Sequence, residues 1–160
     1  MMSSVATIDF TGGGIRNSDI GTGAAIAATK LEHQFSIDRQ LYAEGTEIVA
    51  LASELLHIVH GTSGEVVAFE GAIFTQATGA DRTVDVALQK STGAGAFATI
   101  MTTNVEITNT TAVRTPVAAV VSNTALVDGD ILRAVVTVAG SADAQAEGLL
   151  ITLTLREDPA

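Results

Sequence analysis

The sequence predicts an all-β protein: an antiparallel β-sandwich, jelly-roll-like, with about eight strands and an extended N-terminal arm. Apolar and polar residues alternate with a period of two in most segments after residue 32, which is typical of strands that bury one face. Turns rich in Gly and Asp separate these segments at intervals of about 8 to 15 residues, a spacing typical of sandwiches. The length of 160 residues fits a single domain.

The N-terminal segment differs in composition from the rest of the chain. Residues Gly12 to Leu31 consist largely of Gly, Ala and Thr with isolated Ile, and they include no aromatic residue. A stretch this poor in large apolar side chains cannot bury enough surface to form its own core. We therefore divide the chain into an arm, residues 1–31, and a β-sandwich domain, residues 32–160, and expect other protein chains to order the arm. The arm residues expected to contact a partner are Ile15, Asp19, Ile20, Ala24, Ala25, Ile26, Lys30 and Leu31.

The first strands of the domain are predicted upstream of residue 76. Gln34 to Leu41 alternates weakly. Glu54 to Val59 and Glu65 to Thr75 flank a Gly61–Gly64 turn and predict a β-hairpin. The region from Thr46 to His60 also matches a helix, because its apolar residues recur at three- and four-residue spacing, but the β-rich surroundings favour a strand. The predicted inward residues of the hairpin's second strand are Val67, Phe69 and Ile73.

The second half of the domain alternates more clearly. Thr83 to Gln89, Ile131 to Val138 and Leu149 to Arg156 each place every second residue on an apolar face. A weaker segment, Val113 to Val121, contains Pro116 and is therefore predicted to be an edge or bulged strand. The predicted inward residues are Val84, Val86, Leu88, Leu132, Ala134, Val136, Val138, Leu149, Ile151, Leu153 and Leu155.

Charge and composition argue against several functional classes. The formal net charge is −10 and the eight Lys and Arg residues are dispersed, so we expect no nucleic-acid partner. No apolar run approaches the ~20 residues that span a bilayer, so we expect no membrane partner. The chain has no Cys, which excludes disulfides and thiolate chemistry. Its first residues lack the charged and continuous apolar regions of a secretory signal.

Few residues are spaced for catalysis or metal binding. The three histidines are His33, His57 and His60. On a strand, His57 and His60 point to opposite faces, whereas a helix would bring them together as ligands. Asp128 and Asp130 flank a glycine in a pattern typical of a turn, although such residues also supply oxygen ligands to calcium in longer loops. No spaced catalytic motif accompanies these residues, so we expect no catalytic residue, no cofactor and no metal.

One segment resembles a known motif. Asn17–Leu31 is similar to the pattern N-x-D-I-x-x-x-A-A-I-A-x-[ST]-K-L, which recurs near the N-termini of structural proteins of tailed bacteriophages. The strand Thr83–Leu88, the turn and strand Asp128–Val138 and the strand Gly148–Asp158 also resemble segments of small phage virion proteins. The loop Lys90–Gly95 departs from the K-N-G that is common there. The resemblance implies a homotrimer that attaches to a capsid or a tail.

The resemblance, together with the lack of a catalytic motif, leads to one main hypothesis. We expect a non-enzymatic virion structural protein, a capsid decoration or cement protein that lies on the outer capsid surface and is made in the host cytoplasm. It would form a homotrimer and attach through its arm to the major capsid protein or another virion protein. The first alternative is a tail-fibre or head-fibre receptor-binding module, which the single Tyr and the absence of Trp disfavour. The second is a small jelly-roll enzyme, which would need clustered His and carboxylate side chains.

Overall fold

The computed structural model describes residues 33–140 and 144–158. These residues form twelve strands and no helix. The predictions made for the arm, residues 1–31, fall outside the described residues and stay predictions. The strands are β1 (His33–Glu47), β2 (Leu51–Ile58), β3 (Ser63–Thr75), β4 (Thr83–Thr92), β5 (Ala98–Thr99), β6 (Met101–Thr103), β7 (Val105–Thr108), β8 (Val117–Ala118), β9 (Val120–Val121), β10 (Ala125–Leu126), β11 (Asp130–Ala139) and β12 (Glu147–Asp158).

Two antiparallel sheets account for most of the strands. Sheet I has the order β1-β12-β3-β10, with β8 also paired to β3. Sheet II has the order β2-β11-β4-β5, with β7 also paired to β4. The short strands β6 and β9 form a separate antiparallel pair. The predicted all-β antiparallel sandwich is therefore confirmed.

The order of the strands follows a jelly-roll. The first four strands alternate between the sheets: β1 and β3 lie in sheet I, and β2 and β4 lie in sheet II. β5 and β7 both pair with β4, so together they occupy one strand position in sheet II. β8 and β10 both pair with β3 and together occupy one strand position in sheet I. Counted in this way, the sandwich has about eight strand positions. Numbered along the chain, these positions have the order 1-8-3-6 in sheet I and 2-7-4-5 in sheet II, which is the order of a jelly-roll.

The hydrophobic core lies between the sheets. Side chains alternate across a strand, and in β4, β11 and β12 one of the two faces is buried throughout. Val138, also predicted to point inward, is partly buried against the core. Burying each Leu, Ile or Val contributes about 1.5–3 kcal/mol. The confirmed core residues, each at most 1% exposed, are Val84, Val86, Leu88, Leu132, Ala134, Val136, Leu149, Ile151, Leu153 and Leu155.

Residues 46–60 are extended and not helical. β1 continues through Glu47, and β2 covers Leu51–Ile58. Between them the buried Ile48 donates its N–H to the Ala146 carbonyl, at 2.9 Å, where the chain passes from sheet I to sheet II. The apolar residues at helical spacing do not share one face, because Ile48 is buried and Leu55 is exposed.

The hairpin predicted across Gly61–Gly64 is wrong. β2 belongs to sheet II and pairs with β11, whereas β3 belongs to sheet I and pairs with β12. The buried Val59 explains the crossing, because its N–H donates to the Asp130 carbonyl and its carbonyl accepts the Gly129 N–H, both at 2.9 Å. These bonds hold the end of β2 on sheet II, so the following residues must cross to reach sheet I.

One predicted inward residue of β3 points outward. Phe69 and Ile73 are buried as predicted, but Val67 is 43% exposed. The register explains the difference, since Thr154 lies opposite Ala68 and Leu155 lies opposite Val66, which leaves Val67 without an opposing residue. This β-bulge shifts the alternation by one, so that Val66 takes the buried place.

Candidate functional site

The two longest unpaired strand edges lie on the same side of the sandwich. β1, with 15 residues, ends sheet I, and β2, with 8 residues, ends sheet II. Among the described residues, β1 pairs with β12 alone and β2 with β11 alone. Only residues 48–50 separate β1 from β2 in sequence. Edge strands expose rows of backbone donors and acceptors that can pair with another chain, so this side is a candidate assembly surface.

The outer face of sheet II carries a group of apolar residues beside polar ones such as Asp85, Gln89 and Thr137. The buried residues Leu132, Ala134 and Val136 of β11 point inward, so the residues between them point outward. Leu55 and Ile58, on the edge strand β2, are each 57% exposed. The register aligns them with this outer face, because Ile58 lies opposite Ile131, Leu55 opposite Arg133, and Ala87 opposite Val135. We call the set Leu55, Ile58, Ala87, Ile131 and Val135 the apolar face.

Arg133, which lies next to the apolar face, is engaged by its neighbours. The Arg133 guanidinium donates from Nε and Nη2 to Oε1 of Gln89, at 2.9 and 2.8 Å. It also lies 3.9 Å from the centroid of the Phe97 ring. A guanidinium this close to the face of an aromatic ring is attracted to the ring electrostatically.

The outer face of sheet I carries polar contacts where β1 and β3 flank β12. The Ser36 and Thr154 hydroxyls lie 2.9 Å apart, and the Thr152 hydroxyl donates to Asp38 at 2.7 Å. Arg156 forms an ion pair with Glu65 at 2.9 Å. Antiparallel sandwiches usually keep both outer faces polar, so the exposed Leu55 and Ile58 on the edge of sheet II mark a candidate contact surface for another chain.

The Asp-Gly-Asp turn is organised around a buried carboxylate. Asp130 is fully buried, and its Oδ1 accepts the Thr92 hydroxyl at 2.7 Å. Its Oδ2 accepts the Val127 N–H at 3.0 Å and lies 3.3 Å from Nζ of Lys90. The exposed Asp128 accepts the Gly61 N–H at 2.7 Å. Since protein donors occupy both oxygens of Asp130, the arrangement favours the turn over the calcium alternative.

Burial alone would raise the pKa of Asp130, because it disfavours the charged carboxylate. The Val127 and Thr92 hydrogen bonds and the charge of Lys90 outweigh that effect and hold its pKa below the ordinary value. Asp130 therefore stays ionised and joins the start of β11 to the end of β4 and to the turn before β11. Sequence reasoning recognised the turn at Asp130 but missed its pairing with Lys90, because the two residues lie 40 positions apart.

The histidines do not converge on one point. Nε2 of His57 lies 3.1 Å from Oε1 of Glu157, and its ring meets Phe35 edge-on at 5.9 Å. His60 is exposed, 3.9 Å from Asp128. His33 is exposed at the start of β1. Across residues 33–140 and 144–158 no three His, Cys, Asp or Glu side chains are grouped to hold a metal ion.

The arm residues that we expect to bind a partner lie outside the described residues. Ile15, Asp19, Ile20, Ala24, Ala25, Ile26, Lys30 and Leu31 all precede His33, the first described residue. Sequence reasoning also missed Leu55 and Ile58 as surface residues, because their type suggested a core. In the part of the chain that the structure describes, no helix is long and apolar enough to cross a membrane.

Comparison with known proteins gives distant structural likenesses. The sequence matches no family model and no curated protein. The structure of infectious bursal disease virus, Gt strain, aligns with a TM-score of 0.34 and 16% identity over 82% of this chain. The infectious bursal disease virus VP2 subviral particle gives a TM-score of 0.33 and 14% identity over 82% of this chain. The chain spans 37% and 38% of the lengths of these two proteins. The fold assignment rests on the strand register above, and these values assign no family.

Proposed function

We propose that this chain is a non-enzymatic structural protein of a virion, specifically a capsid decoration protein that forms a homotrimer and attaches through its N-terminal arm. The observation that carries the proposal is the apolar face of sheet II beside the unpaired edges of β1 and β2. A protein with such a surface gains stability by covering it with another protein chain.

The similarity of Asn17–Leu31 to phage structural proteins supports the choice of a virion. The partner is then the major capsid protein or another virion protein, and the chain lies on the outer capsid surface after synthesis in the host cytoplasm. The net charge of −10 per copy fits that location, since an acidic surface is repelled by packaged nucleic acid.

Sedimentation of the purified chain tests the proposal. A trimer has three times the 16.3 kDa mass of one chain. We expect this species alone, and co-sedimentation with capsid shells that lack the protein. Deletion of residues 1–31 should abolish co-sedimentation while the far-UV circular dichroism spectrum stays that of a β protein.

Two results would refute the proposal. One is full occupancy of the shells by the truncated chain, which would exclude the arm as the attachment element. The other is binding of the full chain to intact host cells and not to capsid shells, which would favour the receptor-binding alternative.

A further inference from the structure

We propose that the apolar face of sheet II and the free edge of β2 receive the N-terminal segment, residues 1–32, of a second copy of this chain. The inference rests on the proposed function, because it takes the N-terminal segment as the element that joins chains. The inference adds to the proposed function the surface that accepts this segment.

The accepting surface combines two features along the eight residues of β2. The edge of β2 offers unpaired backbone groups, and the same strand carries the exposed Leu55 and Ile58. β1 also has a free edge, but its outer face carries the polar residues Ser36 and Asp38. A peptide that binds a sheet edge gains affinity from main-chain hydrogen bonds and specificity from side-chain contacts. β2 supplies both to an apolar segment.

The composition of residues 1–32 fits this surface. From residue 11 onward their apolar residues are Ala, Ile and Leu, among them Ile20, Ala24 and Ile26, which suit a shallow apolar face. Their charges are few and of both signs: Asp9, Arg16, Asp19, Lys30 and Glu32. Most of the net charge of −10 therefore belongs to the sandwich. Direct packing of two sandwiches would bring acidic surfaces together, whereas a nearly neutral segment avoids that repulsion.

The point where the N-terminal segment joins the sandwich, at His33, lies near β2. The chain enters β1 at His33, and two residues later the Phe35 ring contacts His57 of β2. His57 is the neighbour of Ile58, so the segment begins at the end of the sandwich where β2 ends. Thirty-two residues have a maximum extended length of ~100 Å, which is ample for contact with an adjacent copy.

The residues that precede β1 favour binding of the N-terminal segment to a second copy over binding to its own sandwich. The stretch Ala24–Glu32 contains no Gly, Pro, Asn or Asp, the residues that tight reversals require. Fully extended, these nine residues span up to ~30 Å, while two packed sheets lie only ~10 Å apart. An extended stretch of that length exceeds the thickness of one sandwich, which favours a second copy as the acceptor.

Disulfide mapping between full-length chains tests the proposal. Because the chain has no Cys of its own, every disulfide that forms joins two introduced residues. One chain carries Ile20→Cys or Ile26→Cys, and a differently tagged chain carries Leu55→Cys or Ile58→Cys. The control acceptor is Val67→Cys, an exposed valine on sheet I. After mild oxidation of the mixture, we expect at least ~10-fold more disulfide between chains for the β2 positions than for the control. A yield equal to the control overturns the accepting surface. A disulfide that forms within an Ile26→Cys/Ile58→Cys chain but not between chains overturns the second copy.

A second measurement separates this inference from the proposed function. In full-length chain, Leu55→Thr with Ile58→Thr should weaken self-association at least ~10-fold, while Val67→Thr with Val113→Thr leaves it unchanged. If deletion of residues 1–31 abolishes assembly but the β2 pair of substitutions has no effect, the accepting surface is wrong and the proposed function stands. If neither change weakens self-association, the accepting surface is wrong, and the proposed function fails with it only if the chain without residues 1–31 still occupies the capsid shells fully.

Discussion

Truncation of Asp130 to alanine should remove the polar centre that joins β4 to β11. Asp130 is fully buried, and Lys90, its ionic partner, has 14% of its side chain exposed. The substitution leaves the ammonium with one protein acceptor, the Ala125 carbonyl at 2.8 Å. It also leaves the Thr92 hydroxyl and the Val127 N–H without the carboxylate that each contacts.

The expected cost follows from these losses. Removing one partner of a buried ion pair typically costs about 3–5 kcal/mol, since the remaining charge stays buried without compensation. We expect about 3–5 kcal/mol for Asp130→Ala. Asp130→Asn should cost less, about 2–3 kcal/mol, because its amide oxygen still accepts from Thr92 while its NH2 group cannot accept from Val127. Domains of this size are stable by about 5–15 kcal/mol, so the alanine variant should be only marginally folded.

Urea denaturation followed by far-UV circular dichroism measures these values, since the chain has no Trp to report by fluorescence. The matched control is Asp128→Asn, two positions away, whose side chain is 65% exposed and whose amide oxygen can still accept the Gly61 N–H. We expect a change below about 0.5 kcal/mol for the control. A cost below about 1 kcal/mol for Asp130→Ala would show that the buried pair does not stabilise the fold.

Three further outcomes are expected from the same chain. The pKa of Asp130 is lowered on folding, so the unfolded chain binds more protons near pH 4 than the folded chain does. The contribution of the Asp130 carboxylate to the unfolding free energy is therefore present above that pH and is lost as the pH falls through the folded-state pKa. The difference in unfolding free energy between the wild type and Asp130→Asn should therefore shrink on acidification from pH ~7 to ~3; a constant difference would contradict a lowered pKa. Val136→Asp places an unpaired charge at a position 1% exposed and should abolish cooperative thermal unfolding, whereas Val120→Asp, at a position 54% exposed, should leave the melting temperature nearly unchanged. His57→Ala removes the contact with Glu157 between the two sheets and should cost about 0.5–1.5 kcal/mol in urea denaturation, and a stabilised variant would show that this contact does not hold the sheets together.

Local alternation was enough to predict the central strands. In β12 the residues Leu149, Ile151, Leu153 and Leu155 are all buried. Every second side chain of a strand points to the same face, so this pattern is visible in the sequence without knowing which strands lie beside it. The same reasoning failed at Val67, since a bulge interrupts the period and leaves no mark in the residue types.

Pairing between distant strands could not be predicted in this way. The segment between β2 and β3 contains the glycines of a hairpin turn, yet Val59 bonds to the backbone at Gly129 and Asp130 and the chain changes sheets. The apolar face was hidden for a related reason. Leu55 and Ile58 are aliphatic like the core residues, and only the register with Arg133 and Ile131 shows that they point outward.

The position of β12 has a consequence for the order of folding during synthesis. β12 lies between β1 and β3 in sheet I, and the contact of Ser36 with Thr154 spans 118 positions of sequence. Sheet I therefore lacks an inner strand until residues 147–158 leave the ribosome. Pairing over such separations slows folding, because loop closure must precede the gain from contacts. Chains interrupted before this strand cannot complete sheet I, so the sandwich can close only after β12 has been translated.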